Sequence, residues 1–157
     1  KYFYKNNSDI ELYFEKYTQR VKTLVPVEGM KEVFKKLILD GYKLIIVSSA
    51  DEDSIEGFLK KYGLEKYFLE IMARKTHSSK AEKFRMIIKK YKIKADDTVM
   101  ITDGIGDVKE AMEVKIKTIG VSWGLHEVER LKQAGADFIA EKPEDIVIGV
   151  KKILALN

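Results

Sequence analysis

Apolar positions along the chain follow two alternating rhythms, one spaced at three and four residues and one continuous over four or five, separated by short polar connections. That alternation is the pattern of helix and strand units feeding a parallel sheet. A first helical face joins Ile10, Tyr13, Phe14, Tyr17 and Val21 behind the cap Ser8, and a second joins Met30, Val33, Phe34 and Leu37 and stops at Gly41. Leu44-Ile45-Ile46-Val47 is an unbroken apolar run and predicts a buried strand of the parallel type. Ile55, Phe58, Leu59 and Tyr62 mark a helix ended by Gly63, and Phe68 to Ala73 reads as the next strand. Ser79-Lys80-Ala81-Glu82 has the form of a capping box, and the helix it opens carries Phe84, Ile87, Ile88 and Tyr91 on one side. Lys80 therefore sits in a first helical turn. Strands follow at Val99 to Ile101, Thr118 to Val121 and Phe138 to Ala140, interleaved with helices from Asp107 to Met112, from Leu125 to Ala134 and from Glu144 to Leu154. No internal repeat is present.

The 157 residues, 45% of them apolar, suffice for one domain with a real core and are too few for two comfortable ones. With 34% charged residues and a net charge of only +4, the basic excess is interspersed with carboxylates; it reads as solubility and gives no sign of nucleic-acid or membrane binding. The absence of cysteine removes disulfides, thiolate catalysis and cysteine-based zinc sites, and fits a cytoplasmic protein. No apolar run approaches transmembrane length. The opening Lys1-Tyr2-Phe3-Tyr4-Lys5 has neither a signal-peptide apolar region nor an initiator methionine, so the sequence is expected to start inside a longer protein.

The chemistry concentrates in Val99-Met100-Ile101-Thr102-Asp103-Gly104-Ile105-Gly106-Asp107, where an apolar run breaks into two carboxylates four residues apart in a glycine-bearing loop. Such a strand ends at the carboxyl edge of a parallel sheet, where ligands of open α/β folds bind. Asp103 and Asp107 can anchor Mg2+, which takes hard oxygen ligands and keeps several waters; the plainer reading is that they cap the following helix. Ser48, with Ser49 beside it, follows an apolar strand where a hydroxyl and backbone amides could donate to phosphate, or serves as an ordinary helix-entry serine. Lys80 opposes the dipole of its helix N-terminus and so makes more sense facing a phosphate or a carboxylate than facing water, although in a chain this rich in lysine the plainer reading is a solvated lysine. Asp51-Glu52-Asp53 lies beyond the end of its strand and reads as a helix cap. His77 and His126 are isolated in sequence and read as surface or loop residues, and Trp123 as a packing residue.

The order of these motifs resembles that of the haloacid dehalogenase-like phosphohydrolases, especially the phosphoglycolate phosphatase-like group. In that family a serine or threonine ends one strand, a lysine opens a later helix, and an acidic Gly-Asp-x-x-x-Asp segment ends the next strand. Ser48, Lys80 and Thr102 to Asp107 match, with Thr102 in place of the usual glycine. The resemblance extends through Pro26-Val27-Glu28-Gly29-Met30, which looks like re-entry into the core after a cap domain, through Ile119 to Gly124 and through Ala134 to Asp137. It implies a three-layer, Rossmann-like α/β fold, a parallel sheet with helices on both faces. It divides the chain into residues 1–24, a remnant of a helical cap or linker, and residues 25–157, the core domain. It implies Asp103 as magnesium ligand with Asp107 in support, Ser48 and Ser49 with Lys80 on the substrate phosphate, and Lys80 as catalytic.

The family's nucleophile is the first aspartate of an Asp-x-Asp pair ending the first strand, and nothing before Val25 resembles that strand. The aspartyl-phosphate and acid-base roles therefore have no residue here. The missing strand occupies the middle of the family's sheet, so two apolar strands are expected to have unsatisfied edges. Either an upstream segment completes the sheet, or another chain donates a strand, a second copy included, or two normally separated strands pair directly. The resulting expectation is a magnesium-dependent hydrolase acting on a small phosphorylated metabolite, with no nucleic-acid or membrane partner. The alternative is a non-catalytic module that binds phosphate, metal or protein at the same edge.

Overall fold

The computed structural model describes residues 23–155. The helix expected over Ile10 to Val21 lies outside them. Five strands and six helices alternate among the described residues: α1 (Met30–Leu39), β1 (Leu44–Val47), α2 (Glu52–Tyr62), β2 (Phe68–Met72), α3 (Lys80–Tyr91), β3 (Val99–Thr102), α4 (Ile105–Glu113), β4 (Lys117–Val121), α5 (Val128–Ala134), β5 (Phe138–Ala140) and α6 (Pro143–Leu154). Every strand pair is parallel, as βαβ connection requires.

The sheet is in two pieces. β1 pairs with β2, while β3, β4 and β5 form a second ladder in that order, and no ladder joins β1 to β3. Among the described residues, β1 and β3 each lack a strand partner on one edge, in line with the two open edges expected from the sequence. Their effect is visible in burial. Leu44, Ile45, Ile46 and Val47 are only half-buried, although the run predicts a fully buried strand, and Ile101 of β3 is 37% exposed. An edge strand lacks the neighbour that would cover its flank, so an interior composition ends up part-exposed.

Packing of helices on both faces holds the halves together. Leu44 of β1 and Val99 of β3 pack on one core, with Val33 and Leu37 of α1 and Ile146, Val150 and Ile153 of α6. Ile45 and Val47 pack on the opposite side with Met100 of β3, Phe84 and Ile87 of α3 and Ala111 of α4. A third cluster joins Phe34 to Leu59, Leu64 and Tyr67 under Ile46. This alternation along β1 follows the two-residue period of a strand. α3 thus contributes core to both pieces of the sheet.

Local signals place the helix ends. Gly41 (φ +91°) and Gly63 (φ +62°) occupy the left-handed region just past α1 and α2, where a side chain would be strained. Asp51 caps α2, its carboxylate accepting from the Ser54 amide at 3.0 Å, as read from the sequence. α5 begins only at Val128, later than the Leu125 expected. The capping box at Ser79 is half formed. Ser79 Oγ accepts from the Glu82 amide at 3.3 Å, but the Ser79 amide donates to His77 Nδ1, and the reciprocal contact is absent. No helix among the described residues is long and apolar enough to cross a membrane.

Candidate functional site

Three parallel strand ends and two helix N-termini build the site. β3 delivers Thr102 and Asp103 to its carboxyl edge, and α4 begins two residues later with Asp107 in its first turn. Asp107 does not cap α4 as its position suggested; Gly104 is the N-cap and makes no side-chain cap bond. Both Asp107 oxygens are spoken for elsewhere. Oδ1 lies 2.5 Å from Lys80 Nζ, and Oδ2 accepts from the Thr102 hydroxyl at 2.7 Å. The Thr102 hydroxyl in turn accepts from the Gly104 amide at 3.0 Å. Thr102 is therefore no neutral stand-in for glycine: it orients the carboxylate and fixes the loop.

Lys80, its side chain only 12% exposed, faces a carboxylate as its place on the helix dipole suggested. Its helix start is held by a residue the sequence reading missed. Glu110, one turn along α4 from Asp107, accepts with a single oxygen from the Lys80 amide at 2.5 Å, the Ala81 amide at 3.0 Å and the Ser79 hydroxyl at 3.0 Å. A carboxylate satisfies those orphan donors and complements the dipole. It comes from another helix, so no local capping signature in the sequence could show it.

Asp103 is positioned from the far side. Its Oδ2 accepts from the Leu125 amide at 2.9 Å, and the ring of His126 donates from Nδ1 to its carbonyl at 3.0 Å. His126, isolated in sequence, is thus a neighbour of the acidic loop. The approach is close enough to require glycine at 124, where a Cβ would come within 2.6 Å of Asp103 Oδ2 and closer still to the Asp103 Cβ.

Ser48 follows β1 at the same edge. Its amide continues the ladder to Met72 O at 2.9 Å, and its hydroxyl accepts from the Ala50 amide at 3.0 Å. Ser49 beside it is exposed. The Ser48 carbonyl accepts from Lys83 Nζ at 2.6 Å, and Lys83 is completely buried. Lys83 was also missed, although a lysine on the apolar stripe of Phe84 and Ile87 is a visible anomaly. Burial pushes its ammonium below the ordinary lysine range, the charge of Lys80 adds to that, and Glu110 opposes it.

The structure thus joins Lys80 directly to Asp107 and links Ser48 to the same helix through Lys83, while Asp103 is held in the adjoining loop. Trp123 packs on the α1/α6 core, in keeping with its reading. Asp51, the start of the Asp-x-Asp run, is committed to capping α2. Among the described residues no group of three or more acidic or histidine ligands surrounds one point. With both Asp107 oxygens engaged, a cation at this edge would rest on Asp103 and draw its remaining oxygens from water and a bound phosphate. A pocket of about 420 Å³ between α1, α2 and the Leu24–Val27 segment is lined by Val25, Met30, Phe34, Ile55 and Phe58 and shares none of this polar chemistry.

Comparisons with known proteins bear on the family and the fold. The haloacid dehalogenase-like hydrolase family matches residues 1–121. The chain is 29% identical over 131 residues to a pyrophosphatase, PpaX, of Listeria welshimeri, covering 82% of this chain and 60% of that protein. It is 25% identical over 126 residues to a phosphoglycolate phosphatase of Synechococcus elongatus, covering 80% and 59%. A haloacid dehalogenase-like family protein of Streptococcus pneumoniae superposes with a TM-score of 0.82 at 18% identity, over 90% of this chain and 68% of that one. A Clostridium acetobutylicum protein described as a predicted phosphatase superposes with a TM-score of 0.78 at 25% identity, over 96% and 72%. The chain therefore spans about 60% of the length of the first of these relatives.

Proposed function

Because this chain belongs to the haloacid dehalogenase-like hydrolase family, we propose that the intact protein is a magnesium-dependent phosphohydrolase of a small phosphorylated metabolite. The observation that carries this reading is the Lys80–Asp107 pair at the carboxyl edge of β3, on the helix that also binds the loop after β1. A phosphoryl group in transfer spreads negative charge over several oxygens, so its hydrolysis needs cations and donors fixed before it arrives.

In this reading Ser48 and Ser49 donate to the phosphate, Lys80 supplies a positive charge on one side, and Asp103 holds magnesium with Asp107 in support. Bound magnesium would neutralise charge on the phosphoryl oxygens. Asp107 keeps the Lys80 ammonium in place, and Thr102 keeps Asp107 in its rotamer. The attacking carboxylate belongs to an upstream segment of the intact protein, entering as a strand between the free edges of β1 and β3. Residues 1–24 would be the end of a cap and 25–157 the core. The relatives' names make pyrophosphate and phosphoglycolate the first compounds to try, and a cytoplasmic location suits such substrates.

The test is hydrolysis by the intact gene product, with and without magnesium, of a panel containing both compounds and other phosphomonoesters. Turnover that needs magnesium and is lost in Lys80→Ala supports the reading. No turnover anywhere on the panel, with magnesium still bound, overturns it. The second reading, a non-catalytic binding module, draws on the Lys80–Asp107 contact itself, in which cation and carboxylate already satisfy each other without a substrate. Magnesium and phosphate calorimetry on Asp103→Asn separates the two readings when turnover is absent.

A further inference from the structure

Lys83 is the one lysine among the described residues that is wholly buried, and the structure gives its ammonium a carbonyl for a partner and no carboxylate within ion-pair distance. A buried ammonium is expensive unless it is well paired, and a hydrophobic side chain of the same length would pack the α3 stripe at lower cost. Stability alone does not explain a lysine at this position. Its contact indicates what else it does. The Ser48 carbonyl belongs to the peptide whose amide side is Ser49 N–H, so a bond that fixes the carbonyl also fixes the direction of that N–H. Ser48's own amide and hydroxyl are already tied, to Met72 and Ala50. Lys83 completes the set that holds this loop rigid, and it does so from the helix that presents Lys80 one turn earlier, since residues three apart share a helix face.

We propose that Lys83 is a positioning residue for the anion site: its buried ammonium locks the Ser48–Ser49 peptide to α3 so that this peptide and Lys80 are presented to a phosphate in fixed register. The inference rests on the phosphohydrolase reading for its ligand and not for its geometry. Among the described residues no strand joins β1 to β3, so this bond is a direct polar tie between the loop after β1 and α3, and α3 is itself tied to α4 through Lys80–Asp107 and Glu110. Glu110 sets the start of the helix, and Lys83 sets the loop against it.

The experiment uses the intact gene product with inorganic phosphate as probe, read as a dissociation constant by calorimetry and as an inhibition constant against whichever substrate turns over. Lys83→Met is expected to keep or raise the melting temperature, because a desolvated charge is removed, while weakening phosphate roughly tenfold, the scale of one charge-assisted hydrogen bond. KM rises in parallel and kcat changes less. Lys83→Gln, whose amide can still donate to the Ser48 carbonyl, recovers most of the affinity that methionine loses, and Lys83→Leu serves as the reading if the methionine variant does not fold. Unchanged phosphate affinity in the folded Lys83→Met or Lys83→Leu variant overturns the proposal. So does a loss confined to the fraction of active protein, with KM and phosphate affinity unaltered, since that is the mark of a purely structural residue. If the wild type binds phosphate but hydrolyses nothing, the phosphohydrolase reading fails while Lys83 is still tested. If the wild type binds no phosphate at all, both fall.

Discussion

Lys80 Nζ stands 2.5 Å from Asp107 Oδ1, so the cation at the start of α3 and the carboxylate in the first turn of α4 neutralise each other across the site. The contact compensates Lys80, which stands against the positive end of its own helix dipole, while Asp107 sits at a helix N-terminus that favours a carboxylate. The pair is more than a surface bridge, because both side chains are largely covered.

Replacing Lys80 by Met removes this charge while keeping most of the stem. Hydrolysis by the intact protein is expected to fall at least about a hundredfold, the usual scale for loss of one preorganised electrostatic contact. Initial-rate kinetics decide it, and activity within threefold of wild type counts against Lys80 touching the reaction.

Thr102→Val keeps the shape of a buried side chain and deletes its hydroxyl, which donates to Asp107 and accepts from the Gly104 amide. The expected loss is about 1–2 kcal/mol of stability, from one bond broken and one amide orphaned. Urea unfolding of the two proteins measures it. A smaller midpoint change than about 0.3 kcal/mol implies that the loop relaxes around the substitution.

Gly124→Ala drives a methyl into Asp103. Overpacking of this kind typically costs about 1–3 kcal/mol, and here it also displaces the carboxylate proposed to hold magnesium. Asp103→Asn removes the charge and leaves the backbone in place. Both variants should lose magnesium affinity by roughly tenfold or more, the scale expected when a ligand or its support is disturbed. Calorimetric titration with magnesium reads this directly, and unaltered affinity in Asp103→Asn would move the metal elsewhere.

Acid should destabilise the protein through carboxylates other than the Lys80–Asp107 pair. Lys90 and the Tyr91 hydroxyl hold Glu70 below its ordinary range, and the hydroxyl and amide of Ser54 do the same for Asp51. Their folded-state values are depressed, so their contribution is present above the unfolded values, about pH 4, and is lost as pH falls through the folded ones. Glu70→Gln should flatten the decline in urea midpoint between neutral pH and about pH 3, and an unchanged slope would show that Glu70 is not linked to folding.

Periodicity alone determined the succession of elements, because a strand that must bury an apolar run and a helix that must cover a sheet write their spacing into the chain: β1 and β5 end where the apolar runs end, and α2 ends at Gly63. Ser48, Asp103 and Asp107 stood out as polar residues following apolar runs, whereas Lys80, in a polar stretch, stood out only through the family resemblance. Tertiary structure decided the partnerships. Glu110 caps a helix 30 residues away, Gly124 makes room for Asp103, and Lys83 reaches back to Ser48 across 35 residues. It also decided the burial of β1, whose four apolar residues stay half-exposed because a strand is covered only when a neighbour lies on each flank. Local pattern reports what a residue requires, and only the folded chain determines which distant group meets that requirement.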